Sequence, residues 1–166
     1  MTSNIPVILA TALIPFVFAM IWFHKSLFGG GNWHAIADIP ETKTSPIKPL
    51  KLALSLLVNI LLAFGVFQFS IHELSIYGML GGDAEAVANS ATASAFLEEY
   101  GGHFHTWTHG IAHGIGVTLF FILPALGYVV IFEKKSAKYF WVYLGYWLIC
   151  TILMSMVICM WGVKMG

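Results

Sequence analysis

Four apolar segments, at about 5–24, 50–72, 107–132 and 139–163, constrain this chain more than anything else in it. Each is long enough to cross a hydrocarbon core about 30 Å thick, which takes roughly 20 helical residues. Inside a bilayer no water is at hand to satisfy backbone N–H and C=O groups, so a spanning segment has to be helical. The expected fold is therefore all-α, an integral membrane bundle of four transmembrane helices forming one domain over 1–166. Composition leaves little room for a soluble alternative. Hydrophobic residues make up 58% of the chain and charged residues 10%, against roughly 25% charged in soluble domains, too few to clothe a core. Pro15 and Pro124 fall inside two of the segments and predict kinks there.

Lysine placement supplies an orientation. No lysine precedes the first segment; Lys25, Lys43, Lys48 and Lys51 belong to the first connection, and none falls in the second. Lys134, Lys135 and Lys138 fill the third, and Lys164 stands alone at the end. Lysine-bearing loops stay cytoplasmic, so both termini and the second connection are expected outside, on the periplasmic side of a bacterial inner membrane. With zero net charge and no arginine, the chain lacks the clustered basic face that nucleic acid requires; its expected partner is the lipid bilayer. The first segment has no positive n-region and no clear small-residue cleavage site, so a retained anchor is expected rather than a cleaved signal.

The connections differ in kind. The first, 29–49, carries Gly29-Gly30-Gly31, Pro40, Pro46 and Pro49 and reads as irregular. The third, 133–138, is a tight polar turn that makes an antiparallel hairpin of the last two helices. The second is longer. Its stretch 83–100 is rich in alanine with acidic residues at both ends, which predicts a short extra helix capped by Asp83. Val87 and Phe96 would share its apolar side, and Gly101-Gly102 would end it before a histidine-rich stretch.

That stretch, HFHTWTHGIAHG, holds His103, His105, His109 and His113. Positions four apart on a helix lie one turn apart on one face, so His109 and His113 can share one metal ion through imidazole nitrogens at about 2.0–2.1 Å. His105 continues the stripe if the helix begins early enough, although two turns would then separate it from His113. His72 and Glu73, at the outward end of the second helix, lie at the matching depth. The candidate metal set is therefore His109, His113, His72, Glu73 and His105, with a divalent ion such as zinc as the fitting cofactor. The plainer reading has these histidines hydrogen-bonding headgroups, water or neighbouring helices. A haem is disfavoured, because a pair one turn apart approaches from one side only.

Other polar and soft residues carry weaker signals. Asn59 and Gln68 lie along the second helix and are the residues past which a transport pathway would run. Gly110, Gly114 and Gly116 include a G-x-x-x-G spacing, read either as a homo-oligomer interface or, preferably, as packing within one chain. Cys150, Met154, Met156, Cys159 and Met160 suggest copper only faintly, since both residue types are ordinary membrane-core material. The two cysteines lie about 13.5 Å apart along one helix, too far for a mutual disulfide. Trp22, Trp33, Trp107, Trp141 and Trp161, with Tyr139 and Tyr143, fall near segment ends as an aromatic belt. No Ser-His-Asp order, phosphate loop, nucleotide fingerprint or H-E-x-x-H motif is visible.

Three stretches together, AMIWFHKSLFGGGNW, HGIAHG and LPALGYVVIFEKKSAKYFWVYLGYWLICTILMSMVICMW, resemble a bacterial four-helix membrane family catalogued only as a domain of unknown function. The matching features are Trp22 at the end of the first helix, the turn Phe132-Glu133-Lys134-Lys135-Ser136, and Gly145-Tyr146-Trp147. The resemblance implies the four-helix fold and supplies no activity. The leading functional expectation is a non-enzymatic, oligomeric membrane protein with an outward-facing histidine site for a metal ion or polar ligand. A small transporter or channel subunit is the alternative, and a metal-dependent membrane enzyme a weaker one.

Overall fold

The computed structural model describes residues 2–24, 36–37 and 48–164; the Gly- and Pro-rich part of the first connection, with Trp33, Lys25 and Lys43, lies outside them. Four helical spans cross the molecule: Ile5–Trp22, Pro49–Ser70, Trp107–Phe132 and Ala137–Trp161. All four are apolar enough to span a bilayer, and the chain is an all-α membrane bundle.

The two interior prolines mark where the spans depart from regular helix. Pro15 has no N–H to give the carbonyl of Thr11, and the first span divides into Ile5–Thr11 and Leu13–Trp22. At the break the Ala12 N–H bonds the Leu9 carbonyl at 3.1 Å, while the Thr11 hydroxyl donates to Ile8 O at 2.7 Å. Pro124 removes the donor for Phe120 O in the third span, and a π-helical turn over Thr118–Ile122 precedes it. In the second span Pro49 occupies the first turn, where its missing N–H costs nothing. The fourth begins at Ser136, whose Oγ accepts the Tyr139 N–H at 3.1 Å. Lys134 bends the preceding turn with a φ of 54°, closing the expected hairpin.

Both chain ends meet. Thr2–Ser3 pairs antiparallel with Val163–Lys164, and Asn4 Nδ2 donates to Trp161 O at 3.0 Å. Toward this end lies a buried cluster of Ile8, Ala12, Ala63, Val66, Phe67, Ile71, Met154 and Ile158. Leucines and phenylalanines on the outer faces, such as Leu57, Leu61, Phe120 and Phe132, are exposed as lipid contact requires. Cys150 and Cys159 are free and buried inside the bundle.

The third and fourth spans approach most closely. A Cβ added at Gly110 would fall 2.5 Å from Met156 Cα, and one at Gly114 would collide with the backbone of Thr151 and Ile152. Hydroxyls tie the same seam: Thr118 Oγ1 lies 2.8 Å from Thr151 Oγ1, and Thr151 Oγ1 donates to Gly114 O at 3.0 Å. The Gly110/Gly114 face thus packs on the fourth span of the same chain, the preferred of its two readings. Asn59 and Gln68, the residues named for a transport pathway, do not share a face. Asn59 is buried, whereas Gln68 faces outward, because nine residues at 100° each place them on opposite sides of the helix.

The connection between the second and third spans departs from expectation in number. It holds three short helices, Glu73–Met79, Ala84–Asn89 and Ala91–Tyr100, where one was expected over 83–100. Asp83 does cap, accepting the Glu85 N–H at 2.9 Å. The helix stops at Ser90, which takes extended backbone angles and caps the next helix through the Ala93 N–H at 3.3 Å. With the helix broken, Val87 and Phe96 no longer share a side: Val87 is buried and Phe96 is half exposed.

Candidate metal centre

Two span ends deliver three imidazoles to one point. The second span finishes at Ser70, Ile71 turns extended, and His72 leads into the short helix Glu73–Met79. The third span starts from Thr106, whose hydroxyl oxygen accepts the His109 N–H at 3.2 Å. That start fixes His109 in the first turn and His113 directly above it. The Nε2 atoms of His109 and His113 lie 2.8 Å apart, those of His72 and His109 3.0 Å, and those of His72 and His113 3.3 Å.

This triangle has a definite chemical meaning. Three nitrogens bound tetrahedrally to one zinc at about 2.05 Å stand about 3.3 Å from one another, close to the spacing found. Without an ion the arrangement is frustrated. Each Nε2 either carries a proton or presents a lone pair, so among three at least two are alike. One edge must then oppose proton to proton or lone pair to lone pair. A cation accepting all three lone pairs removes the conflict.

Aromatic rings hold the imidazoles in place. Phe104 stacks on His109 with centroids 4.7 Å apart and meets His72 edge-on at 5.7 Å. From the second span, Phe69 meets His113 edge-on at 5.2 Å. Neither phenylalanine was marked by sequence reasoning, since an aromatic near a histidine has no distinctive spacing.

Glu73 and His105 take another arrangement. The third span begins two residues after His105, so His105 is not part of the helical stripe. Its Nε2 approaches Glu73 Oε1 at 3.1 Å, a contact of proximity without straight hydrogen-bond alignment. The same oxygen accepts the Gly102 N–H at 2.9 Å. Gly102 has a φ of 82°, a conformation that favours glycine. The pair therefore anchors the histidine-rich loop beside the three-imidazole face instead of joining it. His103 is exposed and lies edge-on to Tyr100 at 5.9 Å.

Next to His72 and Glu73 opens a cavity of about 370 Å³, walled by Ile76, Phe96, Leu97, Tyr100 and Phe104. The neighbouring Glu99 carboxylate raises the Tyr100 phenol above its ordinary range.

Four membrane-crossing helices define a multi-pass membrane protein, and at one end of it the side chains of His72, His109 and His113 converge closely enough to hold one metal ion. The chain belongs to the family described as "Protein of unknown function (DUF1761)", whose family model matches residues 6–159. No curated protein matches the chain, and no solved structure does.

Proposed function

We propose that this is a metal-binding membrane protein in which His72, His109 and His113 hold one divalent ion, zinc being the ion that fits. The supporting observation is the convergence of three Nε2 atoms within 2.8–3.3 Å of one another. Nitrogen ligands at this spacing suit zinc, and three of them leave a fourth position for water or another ligand. The site shares its end of the bundle with both termini, and the lysine pattern assigns that end to the periplasmic side of an inner membrane. The role is binding; no reaction is assigned.

Zinc content of detergent-purified protein tests the reading. About one zinc per chain is expected in the wild type, retained through gel filtration. Outer-shell changes typically cost 10–100-fold in affinity, so removing a ligand by His109→Ala or His113→Ala should cost at least about 100-fold. His72→Ala should match them, whereas His103→Ala should bind normally. A wild-type protein that keeps no zinc at neutral pH after loading would end the proposal.

A further inference from the structure

The cavity beside Glu73 combines features that the metal reading does not use. Glu73 is only 8% exposed, and burying a carboxylate is costly unless its charge is matched. Its Oε1 has the Gly102 N–H and His105. Among the described residues no donor reaches its Oε2, although an ionised carboxylate has about four acceptor positions. This carboxylate lines a cavity whose other walls include three aromatic rings, Phe96, Tyr100 and Phe104, with Phe96 and Tyr100 tilted together at 4.9 Å. Charge around it has one sign. The connection 71–106 carries Glu73, Asp83, Glu85, Glu98 and Glu99 and no lysine. Aromatic faces attract cations through the ring quadrupole, the basis of ammonium recognition.

We infer that this cavity binds a monovalent organic cation, an alkyl- or arylammonium, with the nitrogen at Glu73 and the apolar body against Ile76, Phe96, Leu97 and Phe104. An N–H of the ligand donates to Oε2, which carries no protein donor among the described residues. Anionic amphiphiles are rejected by the same acidic connection. A neutral amphiphile gains the apolar contacts without the charge match. The inference does not rest on a metal at the histidines.

Equilibrium dialysis against nanodiscs of zwitterionic lipid tests it, with empty nanodiscs as the partition control and protein stripped of metal by chelator. The probes are 4-phenylbutylammonium and its neutral isostere 4-phenyl-1-butanol. The cation is expected to bind at least about tenfold tighter than the alcohol, the scale of one cation–π and charge-assisted contact. Glu73→Gln, which keeps an oxygen for Gly102, should bring the two probes to equal affinity. Leu97→Trp, which fills the cavity and leaves the charge, should remove binding of both. Equal affinities in wild type overturn the inference, as does a cation preference that survives Glu73→Gln or binding that survives Leu97→Trp. If Glu73→Gln loosens the loop, seen as fast exchange of the Gly102 amide, the wild-type preference and Leu97→Trp decide. Zinc content measured on each variant before the chelator is added reports the metal site separately, so either reading can fail without the other.

Discussion

Gly114 shows how one missing methyl group sets the geometry of the site. The backbone of Thr151 and Ile152 occupies the place where its Cβ would be, so the third span lies directly on the fourth. A larger residue there cannot be relieved by a side chain turning aside, because the colliding atoms are backbone. Overpacking typically costs 1–3 kcal/mol, and Gly114→Leu should reach about 3 kcal/mol, read as lowered thermal stability in detergent. His113 precedes Gly114 by one residue, so zinc binding should weaken along with stability. Gly65 gives the contrast. Nothing lies within 4 Å of a Cβ placed there, and a glycine inside a helix costs roughly 0.5–1 kcal/mol relative to alanine. Gly65→Ala should therefore leave stability unchanged or raise it, with zinc binding intact.

At the level of helices, much could be read from sequence because the governing forces are local. Interior prolines forecast the break before Pro15 and the widened turn before Pro124, since a missing N–H acts wherever it falls. His109 and His113 come together for the same reason, through helical pitch alone. Less legible was the extra helix, where the Ser90 hydroxyl oxygen accepts the Ala93 N–H and divides 83–100 in two. A serine inside an alanine-rich run is ambiguous between helix interior and cap until tertiary packing chooses. Thr106 posed the same ambiguity, and its choice left His105 outside the third span, free to meet Glu73. Replacing a capping serine by alanine costs about 1 kcal/mol. Ser90→Ala should accordingly speed amide hydrogen exchange over 91–100 while zinc content holds at the wild-type level. Unchanged exchange there would mean that the cap contributes nothing.

For the whole molecule, an ion at the three histidines would join the end of the second span to the start of the third. Binding to the folded state alone stabilises by about 2.7 kcal/mol when free ligand is 100 times its dissociation constant. Zinc should raise the thermal midpoint of wild type, chelator should lower it, and His109→Ala should respond to neither. Which side of the membrane faces that ion rests on a different force, the retention of lysine-bearing loops in the cytoplasm. The structure joins the two ends of the chain, through Thr2–Ser3 and Val163–Lys164, at the end of the bundle that carries the site. Topology of the termini and topology of the site are therefore one question. Lys134, Lys135 and Lys138 concentrate charge in the opposite turn, so a reporter that works only outside the cytoplasm should be active when fused after Gly166. Inserted after Ser136 in the short third connection, it should be silent. Neutralising the three lysines of that turn weakens the signal, and a population with inverted polarity should then appear. A fusion after Gly166 that is active only in the cytoplasm would place the histidines inside the cell, where any ion they hold would come from the cytoplasmic pool.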